Sequence, residues 1–271
     1  MKSIKSLHFV AFCALIVLLS CKKETKPPIE EPKPKKEEPT LPVPKDKGEY
    51  IPIKLEAEGT TLTLKYKENT ALLTEIVDSD GNKTVIIYNT DGFPQKLEKY
   101  KNGKLFFIDY YEQKDKKLTN KIQSFDHDAI TNRTSPNGYY TLTYNDQLRI
   151  GTIDYYNNNK KLIKTSDLYY SESLNLSEIS STEHKTIAYT YDLKNGISSN
   201  IPFSDLFTLQ LEHWFLKCKN NNLTTMLNQE SPQNNIDISY EYNDNGYPSK
   251  VILTSAKMKQ SITITYKRLE S

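Results

Sequence analysis

Ile236-Asp237-Ile238-Ser239-Tyr240-Glu241-Tyr242-Asn243-Asp244-Asn245-Gly246-Tyr247-Pro248-Ser249-Lys250-Val251 is the stretch whose reading decides the fold. Apolar or aromatic side chains stand at every second position from Ile236 to Tyr242, the period of a strand with one buried and one wet face. Asn245-Gly246 then supplies the positive φ of a tight turn. Pro248 opens the next segment, where a ladder N–H can be spared. Tyr88-Asn89-Thr90-Asp91-Gly92-Phe93-Pro94-Gln95-Lys96-Leu97 repeats the pattern from Tyr242 to Val251 almost position for position. A weaker copy is Tyr189-Thr190-Tyr191-Asp192 followed by Asn195-Gly196. Recurrence of a Tyr-x-Tyr strand and an Asx-Gly turn predicts stacked supersecondary units.

The rest of the chain extends this reading. Of nine glycines, six follow Asp or Asn: Gly81, Gly92, Gly103, Gly138, Gly196 and Gly246. The first three fall 11 residues apart, and Lys114-Asp115-Lys116 continues the interval. Turns at a short fixed spacing make successive strands run up and down beside their neighbours. The expectation is an all-β domain of about fourteen strands, a large antiparallel β-meander forming a curled single sheet or one that closes in part. Such a sheet needs cover on its apolar face. One inserted helix near residues 204–219 is predicted to supply it, with Ser204 as N-cap and Phe207, Leu211, Trp214, Phe215 and Cys218 on one stripe. Trp214, the chain's only tryptophan, then reads as a packed core aromatic rather than a ligand platform.

Residues 1–20 carry a different message. Lys2 and Lys5 precede a short apolar run over residues 7–19, and Ser20 stands before Cys21. This is the pattern of a lipoprotein signal peptide, so the mature chain is expected to begin at a lipidated Cys21, anchored in the outer membrane because Lys22 stands where a retention signal would place Asp. The apolar run is too short for the roughly 20 residues of a membrane-spanning helix. Residues 21–48 follow with seven prolines, eight lysines and six acids, a composition that predicts a disordered tether. The remaining domain, residues 49–271, balances 26 basic against 28 acidic side chains, which gives nucleic acid no general attraction. Cys218 has no partner for an internal disulfide once Cys13 leaves with the signal and Cys21 is lipidated.

With the lipobox and the segment from Tyr240 to Tyr266, the chain resembles the YD-repeat-like lipoproteins of Bacteroidota, a family of unknown function. The likeness also takes in Asn200-Ile201-Pro202-Phe203 and Asn221-Asn222-Leu223-Thr224. It implies a meandering β domain with one inserted helix, and it brings no catalytic residues.

Catalytic signatures are missing. His127, His184 and His213 lie at no metal-site spacing, Asp126-His127-Asp128 reads as a solvated turn, and there is no nucleophile elbow, P-loop or H-E-x-x-H. No cofactor is expected. Tyrosine is the anomaly: all 19 follow the tether, and adjacent pairs in a strand place one ring on each face. Tyr110, Tyr111, Tyr155, Tyr156, Tyr169 and Tyr170 are therefore the candidate ligand surface, with a glycan or an envelope protein as its partner. The expected function is a non-enzymatic binding or structural module of the envelope. A carrier holding lipid between curled sheet and helix is the alternative, and an envelope hydrolase the third reading.

Overall fold

The computed structural model describes residues 50–114, 118–183 and 186–269. The signal, Cys21, the tether, His184 and part of the turn at Lys114-Asp115-Lys116 lie outside them. Sixteen strands follow one another: β1 (Tyr50–Ala57), β2 (Thr60–Tyr66), β3 (Leu73–Asp78), β4 (Lys83–Tyr88), β5 (Pro94–Lys101), β6 (Lys104–Lys114), β7 (Leu118–Asp128) and β8 (Arg133–Tyr144) form the first half. The second half is β9 (Ile150–Tyr156), β10 (Leu162–Tyr170), β11 (Leu176–Ser181), β12 (Ile187–Tyr191), β13 (Leu223–Asn228), β14 (Ile236–Tyr242), β15 (Pro248–Ser255) and β16 (Lys259–Arg268). Each pairs antiparallel with the next in sequence, and β1 also pairs with β16 from Tyr50 opposite Arg268 to Ala57 opposite Ile262. The sheet is thus a closed barrel. The expected curled or partly closed sheet is corrected on this point, because the meander has no free edge.

Alternation sorts the side chains. Leu55, Leu64, Ile76, Ile86, Leu97, Ile122, Leu142, Ile238, Val251, Ile262 and Ile264 are buried in the lumen. The outward positions between them carry Lys and Glu, joined in cross-strand or along-strand pairs such as Lys65–Glu75, Lys96–Glu98 and Lys250–Glu241. These charged pairs stand among exposed apolar side chains such as Ile87, Phe106 and Ile163.

Five hairpin loops share one design. Asp78, Asn89, Asn145, Asn157 and Asn243 each accept, through the side-chain oxygen, the backbone N–H groups two and four residues on. The fourth residue of each loop has positive φ, whether it is Gly81, Gly92 and Gly246 or the side-chain-bearing Leu148 and Lys160. The side-chain oxygen mimics a backbone turn, so these loops form even where glycine is missing.

A sixteen-stranded wall encloses more space than its own side chains fill. Residues 192–222, between β12 and β13, occupy it. Ile197, Ile201, Leu206, Phe207, Leu211, Phe215, Leu216 and Cys218 are all buried. Each fully buried aliphatic or aromatic side chain contributes about 1.5–3 kcal/mol, which outweighs the partly exposed pairs that Asp205 makes with Arg149 at 3.2 Å and Lys219 at 3.0 Å. At its neck, Asp192 accepts the N–H of Asn222 at 3.0 Å, Asn222 Oδ1 accepts the N–H of Ile197 at 3.0 Å, and the Tyr242 hydroxyl also donates to Asp192.

This plug corrects the predicted helix. Only Ser204–Phe207 forms α1, and Trp214–Lys217 is a 3-10 turn. The N-cap is Phe203 at φ 62°, and the buried Ser204 hydroxyl has no partner. The apolar stripe was real, but the segment is surrounded by wall on all sides and has no need of a single apolar face. Tertiary packing sets its path.

Candidate functional site

The adjacent tyrosines divide between the two faces of the wall. Tyr111 points inward, 5% exposed, and its hydroxyl donates to Gln210 Oε1 of the plug at 3.2 Å. Tyr155 and Tyr170 also point inward, donating to the carbonyls of Asn137 at 3.1 Å and Ile150 at 2.9 Å. Tyr110, Tyr156 and Tyr169 point outward, with Tyr110 41% and Tyr169 52% exposed. The six residues therefore do not form one surface, because three of them turn inward, where Tyr111 bonds the plug and Tyr155 and Tyr170 bond neighbouring strands of the wall.

Register assembles two of the outer three, Tyr110 and Tyr156, with residues that the sequence did not single out. Lys96 lies opposite Tyr110, Tyr110 opposite Gln123, Gln123 opposite Tyr139, Tyr139 opposite Tyr156, and Tyr156 opposite Leu162. This row crosses β5 to β10 on the outer wall at the strand spacing of about 4.8 Å. Phe125 meets Tyr110 edge-on at 5.6 Å between ring centres, and Tyr139 stacks on Tyr156 at 4.7 Å and 8°. Tyr169 lies off the row on β10 and has no aromatic neighbour within the described contacts.

Cations hold these rings in place. The Lys96 ammonium lies 5.5 Å from the centre of Tyr110, and that of Lys121 lies 5.0 Å from Tyr139. The first is anchored to Glu98 at 2.5 Å and the second to Glu112 at 3.3 Å; Gln123 donates to Glu112 as well. The hydrogen bond from Lys96 to Glu98 raises the lysine above its ordinary pKa. Tyr139 is consequently flanked by Lys121 and Tyr156. Each cation–π contact contributes about 0.5–1 kcal/mol at such exposed sites.

Inside the barrel a polar cluster ties the plug to the wall. Lys99 Nζ donates to the Gln210 carbonyl at 2.6 Å, and Ser124 Oγ to Asp109 Oδ1 at 2.6 Å. Among the described residues no three of His, Cys, Asp and Glu are grouped to hold a metal ion. Burial pushes the Cys218 thiol up to about 12, so at neutral pH it carries no nucleophilic thiolate. Asp126, His127 and Asp128 belong to β7 and its turn, where Asp128 accepts the N–H of Ile130 at 2.8 Å. Two cavities of about 240 and 230 Å3 sit at opposite ends of the barrel. Both are too small for a lipid, and the plug fills the lumen where the carrier reading placed one.

No protein-family profile and no curated protein matches the chain. Among solved structures it is similar to a porin-like protein from Bacteroides uniformis, with 15% identity over 80% of this chain and 98% of that one, at a TM-score of 0.44. It is also similar to part of a TcdB2–TccC3 complex, with 12% identity over 77% of this chain and 10% of that one, at a TM-score of 0.21. The Tc holotoxin pore of Photorhabdus luminescens gives 12% identity over 77% and 9%, at 0.20. The chain spans about a tenth of those two toxin chains.

Proposed function

We propose that the protein is a non-enzymatic binding module of the cell envelope, held at the outer membrane by a lipid on Cys21, that docks a protein partner through the outer wall of β5 to β10. The observation that carries this reading is the register row of Tyr110, Gln123, Tyr139, Tyr156 and Leu162, which runs unbroken across neighbouring strands of the outer wall. Tyrosine and other aromatic residues anchor protein interfaces, and charged residues belong to their rims. Lys96, Glu98, Glu112 and Lys121 stand as such a rim. Protein fits better than glycan here, because sugar stacking uses an open ring face and those of Tyr139 are flanked by Lys121 and Tyr156.

The test is a photoreactive residue in place of Gln123 in living cells. A discrete crosslinked protein that disappears in the Tyr110→Ser, Tyr156→Ser double variant supports the reading. No adduct at Gln123 from folded, membrane-held protein refutes it. Replacing Cys21 by Ala tests the anchor separately, with release from the membrane fraction as the expected result, and protease shaving of intact cells shows which side of the outer membrane the barrel occupies.

A further inference from the structure

The cavity of about 240 Å3 lies at the barrel end where β1 turns into β2, away from Tyr50 and Arg268. It is bounded by β1, β2, the end of β3 and the start of β16, and closed from inside by residues 212–215 of the plug. Leu62, Ile262 and Phe215 give it apolar walls, and Trp214 completes them. Phe215 is 1% exposed and meets Trp214 edge-on at 6.3 Å. The indole is therefore held half-buried against the core, with the remainder of its surface lining the cavity.

The charged side chains that line the mouth are two carboxylates, Asp78 and Glu212, with the Lys99 and Lys217 ammonium groups near enough to act on His213 and Glu212. Asp78 accepts the N–H groups of Asp80 and Asn82 at 2.9 Å each, and the Asn82 side-chain amide at 2.9 Å, which fixes the position of its carboxylate. Glu212 is exposed and makes no ion pair among the described residues. Burial first, and then Lys99, lower His213 below its ordinary value, so the ring is neutral at pH 7. Lys99 itself is directed at the Gln210 carbonyl. His213, Trp214 and Gln260 line the cavity beside these carboxylates. An apolar pocket with a few convergent polar groups is the usual form of a small-ligand site.

We propose that this cavity binds a small organic cation, with an apolar body against Trp214, Leu62 and Ile262 and an ammonium head between Trp214, Glu212 and Asp78. An indole is the best aromatic partner for such a head, and two carboxylates without an ion-pair partner add to it. A cavity near 150 Å3 already holds benzene, so this one admits a single ring with its head group and excludes a lipid. The site is separate from the outer row and does not depend on the docking reading.

Trp214 is the only tryptophan of the chain and lines this cavity, so its fluorescence reports ligand entry there. The experiment titrates the purified full chain with benzyltrimethylammonium, benzyl alcohol and phenylacetate. Saturable change of tryptophan emission with the cation is expected, on the order of tenfold tighter than with the neutral or anionic probe. Glu212→Gln, at an exposed position that leaves the core intact, is expected to weaken the cation by roughly five- to tenfold, and Ala57→Leu to abolish binding by filling the cavity. Glu241→Gln, on the distant outer wall, is expected to change nothing. Absence of saturation at millimolar cation, equal affinity for cation and anion, or unchanged affinity in Glu212→Gln overturns the proposal.

Discussion

Asp109 stands on β6 with its side chain turned into the barrel, where Ser124 reaches one oxygen and the other, Oδ2, meets no protein partner. Burial pushes its carboxyl up to about 6 from an ordinary 3.8, against the opposing influence of the Ser124 hydroxyl and the Lys99 ammonium. A folded-state pKa above the unfolded one means that the native barrel holds this proton more tightly. Stability from this group is complete below about pH 3.8 and is lost as pH rises through 6, by on the order of 3 kcal/mol. Asp109→Asn is therefore expected to melt at a higher temperature than the parent at pH 7.5 and at nearly the same temperature at pH 3.5, as read by calorimetry. A variant that tracks the parent at both values contradicts this account. In the sequence Asp109 is one acid among 34. Alternation puts one ring of each tyrosine pair inward without showing which, and Asp109 shares the face of Tyr111 two residues on; what it meets there was not legible, since its partners Ser124 and Lys99 come from other strands.

The hairpin loops show how far local sequence reaches. Asx-Gly pairs announced the turns at Gly81, Gly92 and Gly246, while Leu148 and Lys160 hold the same left-handed position with no glycine to mark it. A side chain at positive φ costs about 1–2 kcal/mol, and glycine gives back part of that through its freer unfolded chain. Lys160 is exposed, so Lys160→Gly is expected to stabilise the barrel by about 0.5–1 kcal/mol, and Gly92→Ala to destabilise it by about 1 kcal/mol or more, both by urea unfolding. The plug gives a sharper case. A Cβ at Gly196 would lie 2.2 Å from the Cys218 carbonyl oxygen, so Gly196→Ala is expected to cost about 1–3 kcal/mol by separating the two legs of the insertion. Unchanged unfolding midpoints would refute that close approach. The stripe through Phe207, Leu211 and Phe215 read as helix because helical spacing and an all-buried irregular segment place apolar residues alike. The outer row was hidden for a related reason: bulges shift the registers of β5 with β6 and of β6 with β7, and only the paired structure shows which residues face each other.

The whole molecule depends on a contact that no short-range pattern reveals, the pairing of β1 with β16. Meander, turns and strand faces were legible from neighbours in sequence, whereas closure joins the two ends of the domain and is set by how sixteen twisted strands add up. Removal of residues 259–271 exposes β1 and β15 as free edges and opens the lumen around the plug. Such a chain is expected to lose cooperative thermal unfolding and to aggregate, as followed by calorimetry and light scattering. A monomeric, cooperatively melting product would show that closure is dispensable. The same seam has a mechanical meaning. Tyr50 faces Arg268 across it, so the chain enters and leaves the barrel side by side, and a pull on residue 50 against residue 268 loads the ladder one rung at a time. The seam would then open like a zip at low force, whereas a load applied along the strands, from residue 50 to the far hairpins, would have to shear many rungs at once.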